Sequence, residues 1–245
     1  MSPLVANPNK SLSYSSEHII DRRRRLLTEA RRMIAEGGLE SFSIRKLCQR
    51  ADVAQRTFYN AYESKDRLIA LAIREAFDDF QKFISYRTDP STLEGVVDRT
   101  LSTNRRNFKV RNYTKAIVSI YFSPNTSNDI WKTIQDMTQT GWTEWFNLLQ
   151  ARGLFKDWAN PARVANEMAN LQYSIVWDWC LGRIDDEDYL PALFTATLTL
   201  LIGATRGEVA EQAEEMLQAF HETGKLPEFP KPVGRTADQG GDDRD

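Results

Sequence analysis

The sequence predicts an all-α fold, in which a small N-terminal helix-turn-helix unit precedes a larger helical bundle. Three observations carry that expectation. From about Glu17 to Gly224 apolar residues recur at three- and four-residue spacing, and no stretch alternates with period two for long. Helix-start residues stand before these segments (Ser43, Ser64, Ser127, Asn160-Pro161), and glycines follow several of them (Gly37-Gly38, Gly182, Gly224). Charge is divided along the chain, with 12 Lys and Arg against 7 Asp and Glu between His18 and Arg67, and 19 against 26 from Leu68 onward. A basic block joined to an acidic body implies that only the first block meets a polyanion.

In order, a helix from about Glu17 to Glu36 carries Leu26, Ala30, Met33 and Ile34 on one face and ends at Gly37-Gly38. Ser43 caps a short helix with Ile44, Leu47, Cys48 and Ala51. Asp52-Val53 turns, and a second short helix spans about Gln55 to Tyr62. Ser64 opens a long helix through Leu68, Leu71, Ala72, Ala76 and Phe80. Beyond Pro90 follow helices from Ser91 to about Phe108, from Asn112 to before Ser123-Pro124, and from Ser127 to about Arg152. Asn160-Pro161 starts the next, reaching Leu181. Acidic Asp185 to Asp188 suit the positive end of a helix covering Leu190 to about Ala204, and a last helix runs from about Glu208 to His221. The domains expected are a disordered tail (1–16), a helix-turn-helix unit (17–66), a helical body (67–224) and a second disordered tail (225–245).

Composition narrows the function classes. Cys48 and Cys180 lie far apart in apolar helical patterns and read as reduced core residues of a cytoplasmic protein. No apolar run is long enough to span a membrane, and the N-terminal stretch has no signal-like apolar region, so neither export nor membrane insertion is expected. The only histidines, His18 and His221, stand near opposite ends of the helical region. With so few His and Cys and no paired carboxylates, neither an enzyme, a metal site nor a cofactor is expected.

The informative stretch runs from Ser43 to Leu68, SIRKLCQRADVAQRTFYNAYESKDRL. Leu47 and Val53 should pack the two short helices against Phe42, Phe58 and Leu68. That packing leaves Gln55, Arg56, Thr57, Tyr59 and Asn60 outward. Amide, guanidinium, hydroxyl and phenol groups within one and a half turns suit base edges and phosphates in a major groove. Ser64-Lys65, at the start of the long helix, suits a phosphate. Arg22 to Arg25 read either as a minor-groove or phosphate arm or as a solvated helix face, and Arg31 and Arg32 as solvated.

From about Arg22 to Phe77 the sequence resembles the DNA-binding domain of the tetracycline-repressor (TetR) family, through Thr57-Phe58-Tyr59, Tyr62 and Ser64-Lys65-Asp66. The resemblance implies that Thr57, Tyr59 and Lys65 hold phosphates and that Gln55, Arg56 and Asn60 face bases, with Arg45 at the groove edge. Two positions depart from the family pattern: Asp52 stands where glycine is usual, and Ala54 where a Ser or Thr cap is common.

The body holds all six tryptophans. Trp131, Met137, Trp142, Trp145 and Phe146, opposite Met168, Tyr173 and Trp177, read as bundle core or as the lining of an apolar pocket, with Gln135, Asn170, Gln172 and Asp178 as polar contacts. The resemblance implies such a pocket, a small and largely apolar effector, and a homodimer through the helices near Pro161 to Leu181 and Leu190 to Ala204. The apolar positions Val164, Met168, Leu171, Ile175, Trp179, Leu193, Leu200 and Leu201 exceed what one monomer needs. The function expected is a ligand-responsive transcriptional regulator, a repressor bound as a dimer to a palindromic DNA operator. The alternatives are a ligand-independent architectural DNA-binding protein and an enzyme in the helical body.

Overall fold

Side-chain caps open the helices where the sequence places them. Ser43 Oγ accepts the Lys46 amide at 3.3 Å, Ser64 Oγ the Arg67 amide at 3.1 Å, and Asn160 Oδ1 the Arg163 amide at 3.0 Å. Each cap satisfies a donor that the first helical turn leaves without a partner. One start differs. Thr92, rather than Ser91, caps the helix after Pro90, its Oγ1 accepting the Gly95 amide at 3.1 Å. The close approach explains Gly95, since a Cβ there would stand 1.7 Å from the Asp89 carbonyl oxygen.

The computed structural model describes residues 8–82, 84–230 and 233–234, with side chains for 18–82 and 84–230. Its helices are α1 (Pro8–Gly37), α2 (Ile44–Ala51), α3 (Gln55–Tyr62), α4 (Lys65–Lys82), α5 (Leu93–Asn107), α6 (Arg111–Tyr121), α7 (Asn128–Ala151), α8 (Pro161–Cys180), α9 (Asp186–Ala204) and α10 (Glu208–Thr223). A 3₁₀ turn, Phe108–Val110, joins α5 to α6. Two residues of extended chain, β1 (Ile84–Ser85), pair antiparallel with β2 (Val233–Gly234). The all-α class holds, since this pairing is the only sheet among the described residues. Among the described residues no helix is long and apolar enough to cross a membrane.

Both termini depart from expectation. Helix α1 begins at Pro8 instead of near Glu17. Proline fits the first helical position, and no further Pro or Gly interrupts the run before Gly37. Residues 1–7 of the N-terminal tail lie outside the described residues. At the other end, Leu226 and Phe229 pack against the body core, so the chain from Lys225 carries apolar anchors. Residues 231, 232 and 235–245 lie outside the description.

Two buried clusters hold the fold. One joins α1 to α4 and draws in Ile117 and Ile120 of α6 and Ile130 and Ile134 of α7. Leu47, Phe58 and Leu68 in it are fully buried, each worth about 1.5–3 kcal/mol relative to exposure. The other lies among α5, α7, α8, α9 and α10, around Trp145, Trp179, Tyr189 and Phe194. There Trp179 stacks on Tyr189 at 4.4 Å, and the Tyr189 hydroxyl donates to Asn104 Oδ1 at 2.9 Å. Tyr173 of α8 packs against both clusters.

Candidate nucleic-acid interface

Packing decides which face of α3 is free. Phe58 and Tyr62 point inward and are buried, Thr57 is half-buried, and Gln55, Arg56, Tyr59 and Asn60 are exposed. Tyr59 keeps half its surface in solvent and rests edge-on against Phe58, ring centroids 5.1 Å apart. A long phenol braced by a buried ring is held outward with little rotamer freedom to lose on contact.

The turn that sets α3 against α2 is closed by backbone bonds, the Asp52 N–H donating to the Gln49 carbonyl at 3.4 Å, and holds one unusual residue. Asp52 sits in the left-handed region at φ 52°, ψ 53°, and Val53 N–H donates to the Cys48 carbonyl at 2.9 Å. The missing glycine is therefore replaced by a residue type that tolerates this region better than most. Ala54 starts α3 with no side-chain cap. At the far end Glu63 also takes a positive φ, 62°, where α3 passes into α4.

The arginines divide by what holds them. Arg25 donates to the Ala51 carbonyl at 2.9 Å, which clasps α1 to the turn. Arg50 bridges Glu29 and Glu36 at 2.9 and 2.6 Å, and this pairing holds the Glu36 carboxyl below its ordinary range. Arg31, expected to be solvated, instead contacts Ala72, Glu75 and Asp79 of α4. Helix crossing brings those three positions, one face of α4, against α1. Arg32 stays exposed beside Glu29. Arg22, Arg23 and Arg24 are exposed. Among the described residues no carboxylate pairs with Arg45 or Arg56, both exposed.

Lys65 is placed differently from the other expected DNA contacts. It is half-buried, and its Nζ donates to the Phe42 carbonyl at 3.1 Å and lies 5.5 Å from the centre of the Phe42 ring. An ammonium has three donors, so one is used in tying α4 to the chain before α2.

The body residues expected around one pocket fall into two groups. Trp142, Trp145, Phe146 and Met168 are at most 3% exposed and pack in the core of the body. The Trp145 indole donates to the Ser91 carbonyl at 3.1 Å. The second group surrounds Tyr121, which the sequence reading did not single out. Trp131 stacks on Tyr121 at 5.7 Å and Tyr173 lies 4.4 Å from it, while Met137 packs at the cluster edge. Tyr121 sits next to Phe122, which faces Trp177 at 6.5 Å. The adjacent aromatics just before Ser123-Pro124 were the available signal.

Polar groups border this second set. The Tyr121 hydroxyl donates to Asn170 Oδ1 at 2.5 Å, and the Tyr173 hydroxyl donates to the Ile134 carbonyl at 2.8 Å. Burial pushes both phenols above their ordinary range, so both are neutral near pH 7. Gln135 and Gln172 are buried, and the Gln172 amide nitrogen finds no acceptor among the described residues. Asp178 pairs with Arg183 at 2.8 Å instead of facing Tyr121. A separate open groove of about 490 Å³ lies between α9 and α10, bordered by Thr195, Ile202, Leu217 and Phe220 and by none of the expected pocket residues.

The apolar positions expected to be surplus are largely consumed within the monomer. Val164, Met168, Trp179, Leu193 and Leu201 are buried in the body core, which leaves Leu171, Ile175 and Leu200 half-buried. Among the described residues no group of three His, Cys, Asp or Glu is placed to hold a metal ion.

Residues 26–72 match the model of the bacterial regulatory proteins of the tetR family. No curated protein matches the sequence. The fold is similar to that of a TetR transcriptional regulator from Rhodococcus sp. RHA1, at 19% identity over 74% of this chain and 96% of that one, TM-score 0.54. It is similar to NalD, the secondary repressor of the MexAB-OprM multidrug efflux pump in Pseudomonas aeruginosa, at 15% identity over 78% and 99%, TM-score 0.54. It also resembles TylP, a TetR regulator from Streptomyces fradiae, at 16% identity over 84% and 100%, TM-score 0.54. The match to the tetR-family model thus lies over the helix-turn-helix and the start of α4, and the fold as a whole is similar to that of TetR regulators.

Proposed function

We propose that this regulator is a repressor that binds a palindromic operator as a homodimer in the cytoplasm and leaves it when a small, largely apolar molecule enters the body. The observation that carries the DNA half is the outward set on α3, with Arg56 and Arg45 both exposed and, among the described residues, paired with no carboxylate, beside a turn fixed by Asp52. Gln55, Arg56 and Asn60 read base edges, and Thr57 and Tyr59 hold phosphates. Lys65 reaches a phosphate with the donors that Phe42 leaves free. One α3 reads too few bases for useful specificity. Two in successive major grooves, roughly 34–36 Å apart or a multiple of that, supply it.

The dimer forms through the outer faces of α8 and α9, where Leu171, Ile175 and Leu200 remain half-buried. The effector lies by Tyr121, Trp131 and Tyr173, where the free Gln172 amide and Asn170 offer hydrogen bonds in aromatic surroundings. Helix α4 carries the signal, because it holds the helix-turn-helix at one end and packs on α7 along its length. Effector and operator affinities are then coupled reciprocally by ~1–3 kcal/mol.

Selection of bound sequences from a random DNA pool, followed by a screen of apolar compounds for release, tests the reading. A selected palindrome from which no compound releases the protein would leave the second reading, a ligand-independent DNA-binding protein. The observation favouring that reading is the filled body around Trp142, Trp145, Phe146 and Met168. A thermal-shift screen separates the two, since a filled core gains no stability from any apolar ligand.

A further inference from the structure

The chain after α10 returns to the end of α4. Leu226 and Phe229 pack against the body core, and Val233 and Gly234 then pair with Ser85 and Ile84, which follow α4 almost directly. The residues that follow β1 are held by α5. Arg99 of α5 lies 4.7 Å from the centre of the Tyr86 ring and donates to the Thr88 carbonyl at 3.0 Å, and Thr88 donates to Asp98 at 2.7 Å. The chain leaving α4 is thus tied first to the C-terminal segment, at residues 84 and 85, and then to α5, at Tyr86 and Thr88.

We propose that the C-terminal segment is a strap that fixes the far end of α4 and thereby sets operator affinity. The inference rests on the reading of α4 as the link between effector and DNA. Pro227 and Pro230 stiffen the strap, so less chain entropy is lost when it docks. A two-residue ladder is marginal alone. Here the anchors Leu226 and Phe229 keep β2 close to its partner, which raises its effective concentration at β1. With the strap paired, α4 has one preferred tilt. Released, it samples several, and binding to the palindrome, which fixes the spacing of two α3 helices, must select the competent one.

The test compares the full chain with a chain ending at Pro230 and with Val233→Pro, which keeps the length but removes an amide and disturbs the pairing. Hydrogen exchange at residues 78–86 should accelerate about tenfold in both variants, with amides of α2 and α3 unchanged. Affinity for the selected operator should fall roughly three- to tenfold, with affinity for random DNA unchanged. In the full chain, Ser85→Cys with Val233→Cys should form a disulfide on mild oxidation, since facing residues of an antiparallel pair lie within bridging distance. Unchanged exchange at 78–86, or no disulfide, would overturn the strap. Altered exchange with unchanged operator affinity would overturn its control of binding. Should the full chain select no palindrome, the repressor reading fails, while exchange and disulfide still decide whether the strap exists.

Discussion

Arg31 of α1 holds Glu75 of α4 at 3.0 Å, and the same guanidinium reaches Asp79 at 3.3 Å and the Ala72 carbonyl at 3.2 Å. One half-buried side chain therefore spans two turns of α4 and ties that helix to α1. Arg31→Ala should cost about 1–2 kcal/mol, the sum expected of partly exposed ion pairs and one hydrogen bond to a carbonyl. Urea unfolding measures it. A loss no larger than that from Arg32→Ala, whose side chain is 64% exposed, would mean that the bridge contributes nothing.

The start of α3 can be improved. Ala54 already has the extended backbone of a capping residue, φ −66°, ψ 141°, but no side-chain acceptor. Ala54→Ser should therefore stabilise by about 1 kcal/mol. At the preceding turn, Asp52→Val should destabilise by more than about 1 kcal/mol, because a β-branched side chain is strained at φ 52°. Opposite signs for the two substitutions in thermal melts are the expected result.

Arg56 and Lys65 should fail in different ways on DNA. Arg56→Ala is expected to cost about 1–3 kcal/mol at the operator, to relax base preference, and to leave the melting temperature unchanged. Lys65→Ala should weaken specific and random DNA alike, flatten the salt slope by about one unit, and lower the melting temperature through loss of the Phe42 contact. Identical binding profiles for the two variants would rule out this division of roles.

Alkali should loosen the helix-turn-helix through Tyr62. Burial pushes its phenol up to about 12 from an ordinary 10, and its hydroxyl donates to the Arg23 carbonyl at 3.3 Å. The phenol stays protonated in the fold after it would ionise in the unfolded chain. Its contribution is thus complete below pH 10 and lost as pH rises toward 12. Tyr62→Phe should show a shallower fall in melting temperature across that window, and an equal fall would remove Tyr62 as the cause.

How much was legible in the sequence follows from the range of the forces involved. Caps and turns act within a few residues, so Ser43, Ser64, Asn160 and the left-handed Asp52 could be read directly. The outward face of α3 followed from Phe58 occupying the inward slot. Arg31 could not be placed, because its partners lie more than forty positions away, beyond any helical period. The tryptophans misled for the same reason. Trp131 and Trp142 share α7, yet one stacks on Tyr121 near the surface and the other is sealed in the body. Pairing of β1 with β2 was hidden too, since two residues show no period at all.

Tyr173 and the apolar residues of α6 and α7 have a consequence for how such a protein acquires a new target. Leu68, Ile69, Ala72 and Ile73 of α4 share one core with Ile117, Ile120, Ile130 and Ile134, so grafting the first three helices onto a foreign bundle would leave a torn apolar seam. Gln55, Arg56 and Asn60 are exposed outside that cluster, and Tyr59 meets it through Phe58 while keeping half its surface in solvent. Recognition can thus be rewritten residue by residue on the surface, while exchange of whole modules is closed off by the packing beneath it.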